Sequence, residues 1–137
     1  MQLKEVTMSP RRLSDLVIVV VDDESDVRSA IGRYLASLGA VVEICQNVDQ
    51  AISAIRRVRP DLVLSDLAMP GRDGFELLQE IRSLDRSERR DTPVIAITGL
   101  GRDIDRARLP LAGFNAILRK PFTPDALLRA ITDLLEL

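Results

Sequence analysis

Two kinds of apolar stretch alternate along the chain. Short continuous aliphatic runs, such as VIVVV at Val17–Val21, alternate with longer segments in which apolar residues recur every three or four positions. The first pattern belongs to strands buried on both faces, the second to helices with one buried stripe. Leu16–Val21 therefore reads as a strand. Glu24–Leu38 reads as a helix with Val27, Ile31, Leu35 and Leu38 on one face, closed by Gly39. Ala40–Cys45 is a second strand, and Asn47 caps a helix carrying Val48, Ala51, Ile52, Ile55 and Val58 until Pro60 ends it. Asp61–Ser65 is a third strand, Met69–Gly74 a turn-rich loop, and Phe75, Leu78 and Ile81 mark the next helix. Pro93–Ile97 is a fourth strand, followed by a helical segment through Ala112 that Pro110 must shorten or kink. Asn115–Leu118 is a short fifth strand, and Thr123 caps a last helix with Leu127, Leu128, Ile131, Leu134 and Leu135 on its apolar face. Met1–Asp15 reads as a disordered arm or linker and Asp85–Asp91 as a solvated loop.

The order is strand then helix, repeated five times. That predicts one α/β domain over residues 16–137: a (βα)5 doubly wound, five-stranded parallel sheet with helices on both faces. Ligands of such sheets bind beyond the carboxyl ends of the strands. Asp22 and Asp23 end strand one, Asp66 follows strand three, Thr98 ends strand four and Lys120 follows strand five. All five converge on one edge.

Composition narrows the chemistry of that edge. The 137 residues are 46% hydrophobic and 29% charged, the balance of a soluble globular domain, and the net charge of −2 gives no global support for binding nucleic acid. There is no histidine and one cysteine, Cys45, so histidine-based triads, His-ligated zinc and thiolate cages are excluded. The apolar runs near the start are too short for a membrane span or a signal peptide, and a cytoplasmic location is expected. Crowded carboxylates repel one another, which a hard divalent cation relieves; few carboxylates plus water suit Mg²⁺, or Mn²⁺. A nearby lysine and a threonine hydroxyl complete a site suited to a phosphoryl group, with a carboxylate able to act as nucleophile. Taken singly, each piece has a plainer reading. Paired aspartates after a strand often cap a helix, Lys-Pro is often only a turn, and Arg56, Arg57 and Arg59 read as a solvated helix end.

The motifs VVVDDE (Val19–Glu24), LSDLAMPGRDG (Leu64–Gly74), AITG (Ala96–Gly99) and LRKPF (Leu118–Phe122), in this order, resemble the receiver domain of two-component response regulators. The likeness covers about residues 16–137, and the segment from Ala96 to Leu128 is similar to receivers of hybrid sensor histidine kinases. It implies a flavodoxin-like sheet of order 2-1-3-4-5. It implies that Asp66 is the phosphoacceptor, taking a phosphoryl group from a sensor histidine kinase, a histidine phosphotransfer protein or acetyl phosphate. Asp23, Asp66 and the backbone carbonyl of Ala68 would bind Mg²⁺ directly and Asp22 mainly through water; Lys120 would pair with the phosphoryl group and Thr98 would close onto it. Lys120–Pro121 would be a cis peptide. The protein would not be a conventional enzyme but would catalyse its own phosphorylation and dephosphorylation, switching the surface of the fourth helical segment, the fifth strand and the last helix for a downstream protein partner. Two departures stand out. Ile117 replaces the aromatic residue or histidine of the family's switch, and Gly99 replaces a commoner alanine, opening the pocket and implying faster hydrolysis. Ala68, with no side chain to steer water, pulls the other way. A pseudo-receiver acting only as an interaction module is the alternative function, and a stand-alone protein or part of a hybrid kinase are both open settings.

Overall fold

The computed structural model describes residues 12–84, 91–99, 109 and 112–137. Five parallel strands form one sheet in the order β2-β1-β3-β4-β5: β1 Val17–Val21, β2 Val41–Cys45, β3 Leu62–Asp66, β4 Val94–Thr98 and β5 Ala116–Arg119. The fold class and strand order are those expected, and each strand lies within a residue or so of its predicted bounds. The central strands hold the longest aliphatic runs because both of their faces are covered. Ile18 through Val21 are fully buried, as are Leu62–Leu64 and Val94–Ile97.

Side chains alternate between two cores, as the pleat requires. Val19, Val21, Val63, Val94 and Ala96 point to the layer made by α2 (Val48–Val58) and α3 (Gly74–Arg82). Ile18, Val20, Leu62, Leu64, Ile95 and Ile97 point to the layer made by α1 (Ser25–Ser37) and the C-terminal helix Pro124–Leu135. Each valine, leucine and isoleucine among them contributes on the order of 1.5–3 kcal/mol on burial, so the cores fix which residues reach the sheet's edge.

Local chemistry sets the helix ends. Asn47 accepts from the Gln50 N–H at 2.8 Å, Asp73 from Glu76 N–H at 2.9 Å and Thr123 from Ala126 N–H at 3.1 Å. Gly39 takes the left-handed conformation after α1, with φ +97°. The end of α2 differs from expectation in detail: Arg59, not merely Pro60, closes it, in the left-handed region at φ 48°. A residue before proline is disfavoured in the right-handed helical region.

Part of the stretch expected as an arm is ordered. Leu13–Asp15 form a 3-10 turn, Arg12 N–H donates to Asp15 Oδ2 at 3.0 Å, and Leu13 packs against the α1 core. Residues 1–11 of the expected arm, most of the charge run from Asp85 to Asp91, and nearly all of the helical segment expected to end at Ala112 lie outside the described residues. Among the described residues no helix is long and apolar enough to cross a membrane.

Candidate functional site

Hydrogen bonding of the sheet continues one residue past the ends of β1, β3 and β5, and this places the polar residues. Asp22 N–H donates to the Cys45 carbonyl at 3.1 Å, Leu67 N–H to Ile97 at 3.2 Å, and Lys120 N–H to Thr98 at 2.8 Å. Lys120–Pro121 is a cis peptide, as expected. The loop after β3 folds back on its own start: Gly74 N–H donates to the Leu67 carbonyl at 2.9 Å. Arg72 ties that loop down, reaching Asp49 on α2 at 2.9 Å and Glu76 and Glu80 on α3.

Three carboxylates meet at this edge. Asp22, Asp23 and Asp66 each offer an oxygen, all within 4.8 Å of one another. Asp22 is fully buried, Asp66 is 5% exposed, and Asp23 faces solvent. The Lys120 ammonium lies 3.0 Å from Asp22 Oδ2, 3.4 Å from Glu24 Oε1 and 3.6 Å from Asp66 Oδ2. Behind it the Asp22 main chain is held by Arg28, whose Nη1 donates to the Asp22 carbonyl at 2.9 Å. Asp22 Oδ1 accepts from the Glu24 N–H at 2.9 Å.

The electrostatics follow from burial. Desolvation pushes the Asp66 carboxyl up to about 7, the Asp22 charge and a hydrogen-bonding contact with Asp23 push the same way, and Lys120 opposes them. Burial disfavours the Lys120 charge, but its contacts with Asp22, Asp66 and Glu24 outweigh that and hold its pKa above the ordinary value. One ammonium thus leaves the cluster short of positive charge. A hard divalent cation on oxygen donors is what this set fits: every side-chain donor in it is a carboxylate oxygen.

Beside the cluster opens a cleft of about 160 Å³ lined by Glu24, Asp66, Ala68, Thr98, Gly99 and Lys120. The structure brings together Asp22, Asp23, Asp66, Ala68, Thr98, Gly99 and Lys120. Thr98 is buried at the end of β4, and Ala68 is exposed at the start of the loop. Ile117 does not join them; it sits on the edge strand β5, 38% exposed. Pro121 borders a different and more apolar cleft of about 480 Å³ between α1 and the C-terminal helix. A methyl group on Gly99 would find Lys120 side-chain carbons at 3.9 and 4.0 Å, ordinary contact, so the room that glycine leaves is real.

Two residues escaped the sequence reading. Glu24 shares Lys120 with the aspartates. Gly74 looked like the end of a turn, yet a Cβ there would lie 2.5 Å from the Asp66 carbonyl oxygen and 3.0 Å from Leu67 Cα. The Asp-Gly pair was its only signal. The contact it protects is with a residue eight positions earlier, which local pattern does not reveal.

Comparison with known proteins agrees with the fold. Residues 18–132 match the family described as the response regulator receiver domain. A 14.6 kDa protein of Leptolyngbya boryana, itself uncharacterized, is 40% identical over 119 residues, spanning 87% of this chain and 89% of that one. The transcriptional regulatory protein ResD of Bacillus subtilis is 35% identical over 119 residues, again 87% of this chain but only 48% of ResD. Among solved structures, the chemotaxis protein CheY4 of Vibrio cholerae superposes with a TM-score of 0.80 at 27% identity, covering 87% of this chain and 98% of that one.

Proposed function

The chain belongs to the response regulator receiver domain family, and from that premise we propose that it is a competent phosphoacceptor switch of two-component signalling, with Asp66 as the acceptor. The observation that carries this reading is the placement of Asp66: buried, 3.6 Å from Lys120, and opening onto a cleft that also holds Thr98 and Gly99. A carboxylate oxygen of Asp66 attacks phosphorus, the bond from phosphorus to the donor's imidazole nitrogen breaks, and the electron pair leaves with the imidazole. Lys120 offers its ammonium to the incoming phosphoryl oxygens. Thr98, at the cleft wall, donates its hydroxyl to the same group. Asp22, Asp23, Asp66 and the Ala68 carbonyl would hold Mg²⁺ or Mn²⁺, which supplies charge neutralisation to the phosphoryl oxygens.

The transfer adds about −1.5 to −2 charges at neutral pH. In a domain with two accessible arrangements, that charge favours the one in which Thr98 and the chain after β4 close on the phosphoryl group. The donor is a sensor histidine kinase or a histidine phosphotransfer protein, and the output surface includes β5 and the C-terminal helix.

Intact mass after incubation with acetyl phosphate, with and without Mg²⁺, beside Asp66→Asn, tests the reading. One added phosphoryl group that requires both Mg²⁺ and Asp66 is expected. Absence of an adduct, together with no binding of beryllofluoride, would instead make the chain a pseudo-receiver.

A further inference from the structure

Glu24 is an odd residue to find at the N-cap of α1. Its side chain makes no capping hydrogen bond, and Ser, Thr, Asp or Asn would serve that role better. The carboxylate instead reaches Lys120 Nζ at 3.4 Å, across 96 positions of sequence. Its backbone is fixed from below, since the Glu24 N–H is held by Asp22 Oδ1. It borders the cleft that Asp66 opens onto, and its side chain is 62% exposed. Of the three carboxylates around Lys120 among the described residues, it alone has no part in the transfer chemistry described above, and it is the most exposed.

We propose that Glu24 is a positioning residue that selects the donor: it detains Lys120 and sets a negative charge at the cleft mouth, so that Asp66 is charged slowly by small free anionic phosphodonors. This rests on the phosphoacceptor reading. Lys120 cannot serve both Glu24 and a phosphoryl group fully, so an incoming donor must compete for it. A small dianion also meets the Glu24 field directly, with no other contacts to offset the repulsion. A phosphohistidine presented by a protein is held by its docking contacts, and the same repulsion weighs less against them.

Two donors of different charge separate this from a merely structural role. With dianionic acetyl phosphate, the phosphorus–oxygen bond to acetate breaks and its pair leaves with acetate as the bond to Asp66 forms. With phosphoramidate, which is singly anionic overall at neutral pH, the protonated nitrogen takes the pair and leaves as ammonia. Initial rates by intact mass, in Mg²⁺ and at two ionic strengths, are compared for the wild type, Glu24→Gln, and Glu136→Gln as a remote charge control. Glu24→Ser, which installs a better cap, keeps the comparison independent of helix stability.

Both Glu24 variants should accept from acetyl phosphate roughly threefold to tenfold faster, with a smaller gain from phosphoramidate and a gap that narrows at high salt. Glu136→Gln should match the wild type. Beryllofluoride binding, followed at the Asp66 amide by NMR, should tighten a few-fold in the Glu24 variants, a readout independent of turnover. Unchanged or slower acetyl phosphate rates in both variants would overturn the inference, and so would equal acceleration with both donors. A wild type that neither accepts from any donor nor binds beryllofluoride would overturn the phosphoacceptor reading itself and this inference with it.

Discussion

At the amino end of the sheet, Asp61 accepts a hydrogen bond from the Val17 N–H at 2.8 Å while its own N–H donates to the Val17 carbonyl at 2.7 Å. At the carboxyl end, five residues along the same chain segment, Asp66 faces two further aspartates and shares one lysine with Asp22. The residue type is the same and the environments are opposite. Asp61 is matched to a donor and ties β1 to the start of β3. Asp66 is set among like charges in a desolvated place, and its pKa rises to about 7. One end of the strand uses its carboxylate to hold the sheet together; the other sets its carboxylate among like charges, a repulsion that a proton or a bound cation relieves.

The sharpest way to break this contrast is Gly74→Ala. Its Cβ would collide with backbone atoms of Asp66 and Leu67, and backbone cannot step aside. We expect a loss of about 3 kcal/mol in urea unfolding and a phosphorylation rate at least roughly tenfold lower. Wild-type stability would show that the β3–α3 loop yields.

Next in size is Asp66→Asn, which removes the charge without removing the shape. In the absence of metal at pH 7 it should raise stability by about 1–3 kcal/mol. The sign follows from proton binding. Asp66 titrates near 7 when folded and near ~4 when unfolded, so the folded state binds more protons between those values. Its contribution is fully present below about pH 4 and is lost as pH rises through about 7. Urea midpoints across that window should fall with pH in the metal-free wild type and fall less in Asp66→Asn. Saturating Mg²⁺ should flatten the wild-type slope, and EDTA should restore it.

Asp61→Ala should move stability the other way, by about 1–2 kcal/mol downward, because the Val17 N–H loses its acceptor. Its effect should depend little on Mg²⁺. Sensitivity to Mg²⁺ matching that of the Asp66 variant would erase the distinction between the two ends.

The smallest effect on stability belongs to Gly99→Ala, within about 0.5 kcal/mol, since the added methyl meets only Lys120 carbons at ordinary distance. The phosphoaspartate half-life, measured after removing the donor, should nonetheless lengthen, because the methyl fills part of the room beside the acceptor. An unchanged half-life would mean that the opening at Gly99 does not admit the hydrolytic water.

Most of this architecture is legible in the sequence, for a physical reason. Strands buried on both faces must be aliphatic throughout, so VIVVV and its counterparts announce the sheet, and their polar successors announce its edge. Asp22, Asp23, Asp66, Thr98 and Lys120 were legible because each directly follows or ends such a run. Glu24 was not. It carries the same signal as the start of any helix, and its partner lies at the far end of the chain. Gly74 was hidden because its value lies in an atom it lacks. The turn at Leu13–Asp15 was hidden because three residues of mixed polarity carry no period, although Leu13 finds a place against the α1 core.

The sheet order places Lys120 beside residues that precede it by most of the chain, and this gives the site a direction in time. Synthesis runs from the amino terminus, so the carboxylates of Asp22, Asp23, Glu24 and Asp66 leave the ribosome well before the ammonium that draws them together. Closing so long a loop is among the slower steps a small domain can require. A nascent chain that has made β3 but not β5 therefore carries the negative charges of the pocket without its ammonium, and the cluster is complete only as the last strand seats.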